Sequence, residues 1–255
     1  MKRKAERQSR ILAELEGAPS LRVAELARRM EVSTETIRRD LDEMTARRLL
    51  DRTYGGAIRP TGEEPTLSVR HALFIEERQR IAEAAVAQLS GARVIMIGSG
   101  ATATHVARRI AAEMRDLTVV THAVGVAQAL TINPSIRVIL APGDYHAGEG
   151  ATVGARTSAF LAGFRADVAV LGASGLGPDG PSDALIDVSS VYEAICAQAA
   201  QVMLVADHSK FGQIFPARYA PWSGIDRLVT DRAPEGALAG WLSDARVALN
   251  LAPRG

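Results

Sequence analysis

The sequence predicts an α/β protein in two parts: a small helical head ending in a hairpin, then a doubly wound, mostly parallel sheet covered on both faces by helices. Three observations carry this. Apolar residues at helical spacing fill residues 11–44. A glycine pair, Gly55-Gly56, sits between two short strand-like runs. From Val94 onward, short apolar runs alternate with helical stretches, the pattern of strand–helix–strand units.

A chain of 255 residues has room for a domain of about 60 residues and another of about 180. The expected division is residues 1–58 for the head, 59–74 for a linker and 75–255 for the body. No apolar run approaches the ~18 residues that would cross a membrane, so no membrane partner is expected. The opening MKRKAERQSR leads into a helical pattern rather than a secretory signal. Cys196 is the single cysteine, which fits a cytoplasmic location and a small core residue rather than a nucleophile. The net charge of +1 hides an asymmetry: residues 1–60 carry 14 Lys+Arg against 10 Asp+Glu (+4), residues 61–255 carry 16 against 19 (−3). A basic head suits contact with phosphates.

In the head, Ile11, Leu12 and Leu15 keep helical spacing up to Gly17. Leu21, Val23, Leu26, Ala27 and Met30 are read as a second amphipathic helix. Ser33 is a good N-cap for a third, its hydroxyl accepting from first-turn amides, and Glu35 complements the helix dipole. Ile37, Leu41 and Met44 form the buried stripe, leaving Thr34, Thr36, Arg38 and Arg39 on other faces. Two short helices joined tightly, the second capped and bearing arginines, form a helix-turn-helix whose second helix can lie in the major groove of double-stranded DNA. Arginine reads guanine or clamps phosphate, and threonine serves phosphate or a thymine methyl. The plainer alternative is a solvated face with Arg38 and Arg39 paired to Glu35, Asp42 or Glu43. Residues 49–58 then read as strand, Gly-Gly turn, strand: a wing on which Arg52 or Tyr54 could touch phosphate, Tyr54 equally serving as a packing residue.

ELARRMEVSTETIRRDLDEM followed by LLDRTYGGAI resembles the N-terminal signature of the DeoR family of bacterial transcription regulators. The resemblance implies a winged helix-turn-helix domain and a repressor of a sugar or polyol catabolic operon, released by a small metabolite. Double-stranded operator DNA, a small-molecule effector and a homodimer or homotetramer would be its partners.

Residues 59–65, rich in proline and charge, read as a linker or turn, and Ser68–Leu89 as a helix. In the body, Val94–Ile97, Leu117–Thr121, Ile136–Leu140, Val168–Leu171, Val202–Ala206 and Arg227–Thr230 are expected strands, with helices near 102–112, 123–131, 153–163 and 186–200. Ligands of such folds sit beyond the carboxyl ends of the strands. There stand Gly98-Ser99-Gly100-Ala101-Thr102 at a helix start, where free amides attract an anion, or where a serine or threonine simply caps. Thr121-His122, the Gly172–Gly180 loop with Ser174, and Asp207-His208-Ser209-Lys210 follow other strands. Lys210 is one of only three lysines beside 27 arginines, which is either chance in an arginine-biased sequence or a place where a compact ammonium is needed, and Asp207 and Lys210 could form a plain surface ion pair. These turns together favour a small polar pocket for a phosphorylated or polyhydroxylated ligand.

IGSGAT, LTVVTHA, LGASGLG and LVADHSKFG are similar to landmarks of the DeoR C-terminal sensor domain, itself similar to ribose-5-phosphate isomerases and CoA transferases. By that resemblance the Gly98–Thr102 loop binds phosphate, and Lys210 and Asp207 line the sugar end. The isomerases' Asp-Gly-Ala-Asp-Glu stretch is here Leu171-Gly172-Ala173-Ser174-Gly175, so the carboxylates that would move protons are gone. A retained pocket without catalytic residues is expected; an isomerase or transferase with an accessory head is the alternative. His122 stands for a usual asparagine, Ala101 for a frequent threonine and Asp144 for a usual glycine; the first two admit an unphosphorylated or unusual polyol. His105 and His146 lack metal-like spacing, and neither a metal nor a cofactor is expected.

Overall fold

The computed structural model describes residues 2–17, 20–47, 49–53, 56–58 and 64–253. They form two compact units, Met1–Phe74 and Ile75–Gly255.

In the head, α1 (Lys2–Gly17) is followed by β1 (Ser20–Arg22), α2 (Val23–Met30), α3 (Thr34–Ala46), β2 (Asp51–Thr53), β3 (Gly56–Ile58) and α4 (Leu67–Arg70). Ile11, Leu26, Ile37, Leu41, Met44 and Leu50 make the fully buried centre. The turn between α2 and α3 is tight because Glu31 adopts the left-handed conformation (φ 55°) and the Val32 amide bonds back to Ala27 O at 3.0 Å. Ser33 caps α3 as expected: its Oγ accepts from the Thr36 amide at 3.2 Å. Replacing Ser33 with alanine is expected to lower the head's stability by about 1 kcal/mol, read by urea unfolding, with the body's transition unchanged.

Two expectations are corrected here. Leu21 is not helical: Ser20–Arg22 pairs antiparallel with β3, Leu21 opposite Ala57, so the wing has three strands in the order β1-β3-β2. Pairing with a strand 36 residues away overrides the local helical pattern. The expected helix over Ser68–Leu89 is two helices, α4 and α5 (Ile75–Val86), separated by a turn in which Phe74 has φ 50°. The apolar stripe is divided: Leu73 and Phe74 belong to the head's core, Ile81, Ala85 and Leu89 to the body's. The segment expected as a linker therefore ends inside the head's own core.

The body continues with β4 (Val94–Ile97), α6 (Ala101–Glu113), β5 (Thr118–Thr121), α7 (Val124–Leu130), β6 (Arg137–Leu140), the hairpin β7 (Asp144–His146) and β8 (Ala151–Val153), and α8 (Ala155–Leu161). Then come β9 (Ala166–Leu171), β10 (Gly175–Gly177), β11 (Gly180–Asp183), α9 (Ile186–Cys196), β12 (Ala199–Val205), β13 (Ala217–Arg218), β14 (Arg227–Thr230), α10 (Gly236–Asp244) and β15 (Ala248–Leu251). The expected strands are present, in a seven-stranded sheet of order β15-β14-β12-β9-β4-β5-β6, every pairing parallel. The edge strand β15 and the hairpins were not legible as strands, being short and exposed or glycine-rich. The helix expected to reach residue 200 stops at Cys196, because Ala199 already pairs with Ala166 of β9.

The central strands contribute to two cores. Ile95 and Ile97 face α5, α6 and α7, whereas Met96 between them faces the side of α8, α9 and α10. That alternation is what a sheet buried on both faces requires. Strand order runs outward in both directions from the neighbouring β4 and β9, so the topological switch lies between them. Asp167, at the start of β9, accepts the Arg93 and Val94 amides at 2.7 and 2.9 Å; those bonds hold its carboxyl below the usual range and fix the start of β4. Among the described residues no helix is long and apolar enough to cross a membrane.

Candidate functional site

In the head, α3 is fixed from behind. Asp40, almost fully buried, receives Arg7 of α1 through Nε at 2.5 Å and Nη2 at 3.2 Å. Lys4 pairs with Glu43, and Arg29 of α2 with Glu14 of α1. These contacts, at sequence separations far beyond a helical turn, lock α1 against its neighbours. What α3 leaves outward is Thr34, Glu35, Arg38, Arg39 and Asp42, all exposed, with Thr36 half-buried. Arg39 contacts Glu35 at 3.3 Å, both side chains well exposed, a pair of small energetic weight. The Ser33 hydroxyl is engaged with Thr36 Oγ1 at 2.9 Å and the Thr36 amide, so it acts first as a cap. The Arg52 side chain and all of Tyr54 lie outside the described residues.

In the body, the turns singled out in the sequence follow four adjacent strands, β5, β4, β9 and β12. After β4, the Gly98 amide bonds to Val170 O at 2.9 Å, and Gly98 approaches Tyr192 so closely that a Cβ would lie 2.8 Å from its ring. Gly100 precedes α6 with φ 109° and ψ 164°, a backbone region open in practice only to glycine. Among the described residues no side-chain cap bond is made at the start of α6, and no acidic residue occupies its first turn. Ala101, Thr102 and Ser99 are buried beside it.

Tyr192 of α9 ties the cluster together, and sequence reasoning missed it. Its hydroxyl donates to Ser99 O at 2.9 Å and lies 3.1 Å from Ser99 Oγ. Its ring meets His122 edge-on at 5.9 Å and Tyr219 at 5.0 Å. The Tyr219 hydroxyl donates to Gly172 O at 2.5 Å, and burial raises its pKa well above the ordinary value. The chain's four tyrosines, two of them here, were the only available signal.

His122 is fully enclosed. Burial lowers its pKa to about 4, against the partly compensating bond to Thr152, so the ring is neutral near pH 7. Nδ1 lies 2.7 Å from Thr152 O and therefore carries the proton; Nε2 has no hydrogen-bond partner among the described residues. Since the unfolded chain takes up that proton near pH 6.5 and the folded one only near 4, stability falls as pH drops through this window. A loss of about 3 kcal/mol between those limits is expected, at ~1.36 kcal/mol per unit, and His122→Gln should flatten that part of the pH profile.

Ser174 is buried, its amide bonded to Ser182 O at 3.0 Å. The Lys210 turn packs on this loop: the Gly212 amide bonds to Leu176 O at 3.0 Å, and a Cβ on Gly175 would strike Gln213 O at 2.3 Å. Asp207 is not at the surface. It is fully buried and faces Arg78 of α5, whose Nε and Nη2 both lie 2.9 Å from Oδ2. Its Oδ1 accepts the Ser209 amide at 3.2 Å and the Ser209 hydroxyl. Burial pushes the carboxyl pKa up, but Arg78, then Lys210 and the Ser209 hydroxyl, outweigh it and hold it at about 2. Asp207 thus caps the turn that carries Lys210, with its oxygens occupied by protein. Cys196 is half-buried, and burial pushes its thiol up to about 12, which makes it inert near pH 7. Among the described residues no group of three or more His, Cys, Asp or Glu is placed to hold a metal.

A capped, arginine-bearing helix beside a three-stranded wing, joined to an α/β body with glycine turns gathered at its switch point, defines a DNA-binding regulator with a ligand-type domain. Models of the DeoR-like helix-turn-helix domain and the DeoR C terminal sensor domain match residues 7–63 and 73–232. The chain belongs to the DeoR family of transcriptional regulators. It is 34% identical over 230 residues to the glycerol-3-phosphate regulon repressor of Escherichia coli K12, covering 89% of this chain and 90% of that protein. It is 30% identical to the transcriptional repressor CsqR of the same organism, covering 91% and 89%. The ribose 5-phosphate isomerase A structure of Methanocaldococcus jannaschii matches with TM-score 0.38 and 14% identity, over 54% of this chain and 55% of that one.

Proposed function

We propose that the chain is an operator-binding repressor whose body binds a sugar, polyol or sugar phosphate, and that it has no catalytic activity of its own. The observation that carries the ligand reading is the amide end of α6 behind Gly100, after β4, with only β9 between β4 and β12, the strand that leads to the Lys210 turn. A phosphate monoester suits that pair of features: helix amides for its oxygens and an ammonium for its charge. In this reading Gly98, Ser99, Gly100, Ala101 and Thr102 form the anion end, and His122, Gly172, Ser174 and Lys210 the hydroxylated end. Asp207 is reassigned from ligand contact to support of Lys210. On DNA, Arg38 and Arg39 carry readout and phosphate contact, with Thr34, Thr36, Arg52 and Tyr54 assisting and Ser33 shaping the helix start. The names of the two curated relatives, both repressors, support the regulatory reading, and the first of them makes a glycerol phosphate one ligand to test.

The repressor works as a homodimer or homotetramer in the cytoplasm, its paired heads matching a two-fold operator. A thermal-shift screen of free and phosphorylated sugars and polyols tests the ligand reading. Phosphorylated polyols should raise the body's melting temperature, since a ligand favours the state that binds it. No shift from any compound would remove it. Turnover of a pentose or hexose phosphate, lost on Lys210→Ala, would instead favour an isomerase or transferase.

A further inference from the structure

The Arg78–Asp207 pair joins two places that the sequence separates by 129 residues. One is the turn His208–Lys210, which Asp207 caps through Oδ1. The other is α5, which begins at Ile75, the residue directly after Phe74 of the head's core. Both partners are almost entirely shut off from water, Arg78 at 2% and Asp207 at 0% exposure. A single carboxylate thus holds the lysine turn with one oxygen and α5 with the other.

The enclosure gives this arrangement its mechanical character. A buried ion pair with one partner displaced leaves a bare charge in a low-dielectric interior, so both halves move together or the pair reforms elsewhere. Side chains in a packed core have discrete arrangements and do not deform continuously. An anion arriving at Lys210 changes the charge balance around Asp207, since the two already interact. The remaining contacts of Asp207 pass that change to α5, and no intervening residue separates α5 from the head's core in the chain.

We propose that Arg78 is the positioning residue of the switch: through Asp207 it holds the Lys210 turn to α5, so that occupancy at Lys210 alters the DNA affinity of the head. This rests on the effector site proposed above. Arg78 contacts neither ligand nor DNA in this account, and its role is coupling.

The test uses the full-length chain, its own promoter DNA in fluorescence anisotropy, and four probes: sn-glycerol 3-phosphate, D-fructose 1-phosphate, D-glucose 6-phosphate and D-ribose 5-phosphate, with inorganic phosphate alongside. The coupling factor is the ratio of DNA Kd with and without the saturating probe. The native chain should show a factor of about 10 or more with at least one probe. Arg78→Gln should bring that factor close to one while DNA affinity without probe stays within about threefold, and Arg78→Lys, which keeps the charge, should restore part of it. Ser209→Ala, which removes one bond to Asp207 at a half-buried position, should lower the factor too and covers the case in which Arg78→Gln does not fold. A residue that only stabilises would lower the melting temperature and leave the factor unchanged; that result overturns the proposal. If no probe changes DNA binding by the native chain, the effector-site reading fails first and the proposal with it.

Discussion

Replacing Arg38 and Arg39 together with alanine should weaken specific DNA binding by about 100-fold or more and leave the fold intact. Each arginine that reads a guanine edge or holds a phosphate contributes roughly 1–3 kcal/mol. Two such losses amount to several kcal/mol, and each ~1.4 kcal/mol is tenfold. The fold should not change because both side chains are exposed on α3, while the helix is held by Ile37, Leu41 and Met44 inside and by the Arg7–Asp40 pair behind. Substitutions at such surface positions stay within about 0.5 kcal/mol in stability. The ion pair of Arg39 with Glu35 is exposed on both sides and contributes little. The salt dependence should respond as well, its slope falling by about one for each phosphate contact removed. A double variant that binds promoter DNA within about threefold of the native chain would mean that α3 is a solvated face and the basic head serves another purpose.

The second large effect is on stability. Arg78→Ala or Asp207→Ala should each destabilise the body by about 3–5 kcal/mol, because either leaves an unpartnered charge in the interior. For a unit of this size that corresponds to a fall of roughly 6–20 °C in Tm. Replacing both at once, Arg78→Met with Asp207→Leu, should cost less than either alone, since no bare charge remains. The pH dependence has a definite sign. The carboxyl titrates at about 2 in the folded chain and near its ordinary 3.8 in the unfolded one, so its contribution is complete above pH 4 and is lost as pH falls towards 2. Differential scanning calorimetry of the single and double variants decides it; equal losses in all three would show that packing, not charge, dominates the site.

The difference between these two predictions reflects what a sequence shows. Helix α3 was legible because its determinants are local: Ser33 caps three residues away, and Ile37, Leu41 and Met44 share a face by helical period alone. The strand ends were legible for the same reason, since four-residue apolar runs ending in glycine mark β4 and its turn. The Arg78–Asp207 pair was not, because its members lie on α5 and after β12, and only the sheet order brings those together. Tyr192 was hidden likewise: in α9 it reads as one more core aromatic, and its hydrogen bonds to Ser99 exist only once α9 packs on the sheet and reaches the turn after β4. Leu21 was misread because a three-residue strand has no period of its own and borrows its conformation from β3. Lys210 was noticed by its rarity among arginines, yet its support, Asp207 turned inward to Arg78, had no sequence signal.

One measurement bears most directly on the whole account: the affinity of the full-length chain for its own promoter region, against random DNA of equal length, at about 150 mM salt, with and without sn-glycerol 3-phosphate and the other phosphorylated sugars. The account predicts promoter binding about 10³-fold tighter than random DNA, and a shift of about tenfold or more in that preference when one of the phosphates is added. Equal affinity for both DNAs would contradict the regulator, and tight promoter binding that no sugar or polyol phosphate alters would contradict the switch.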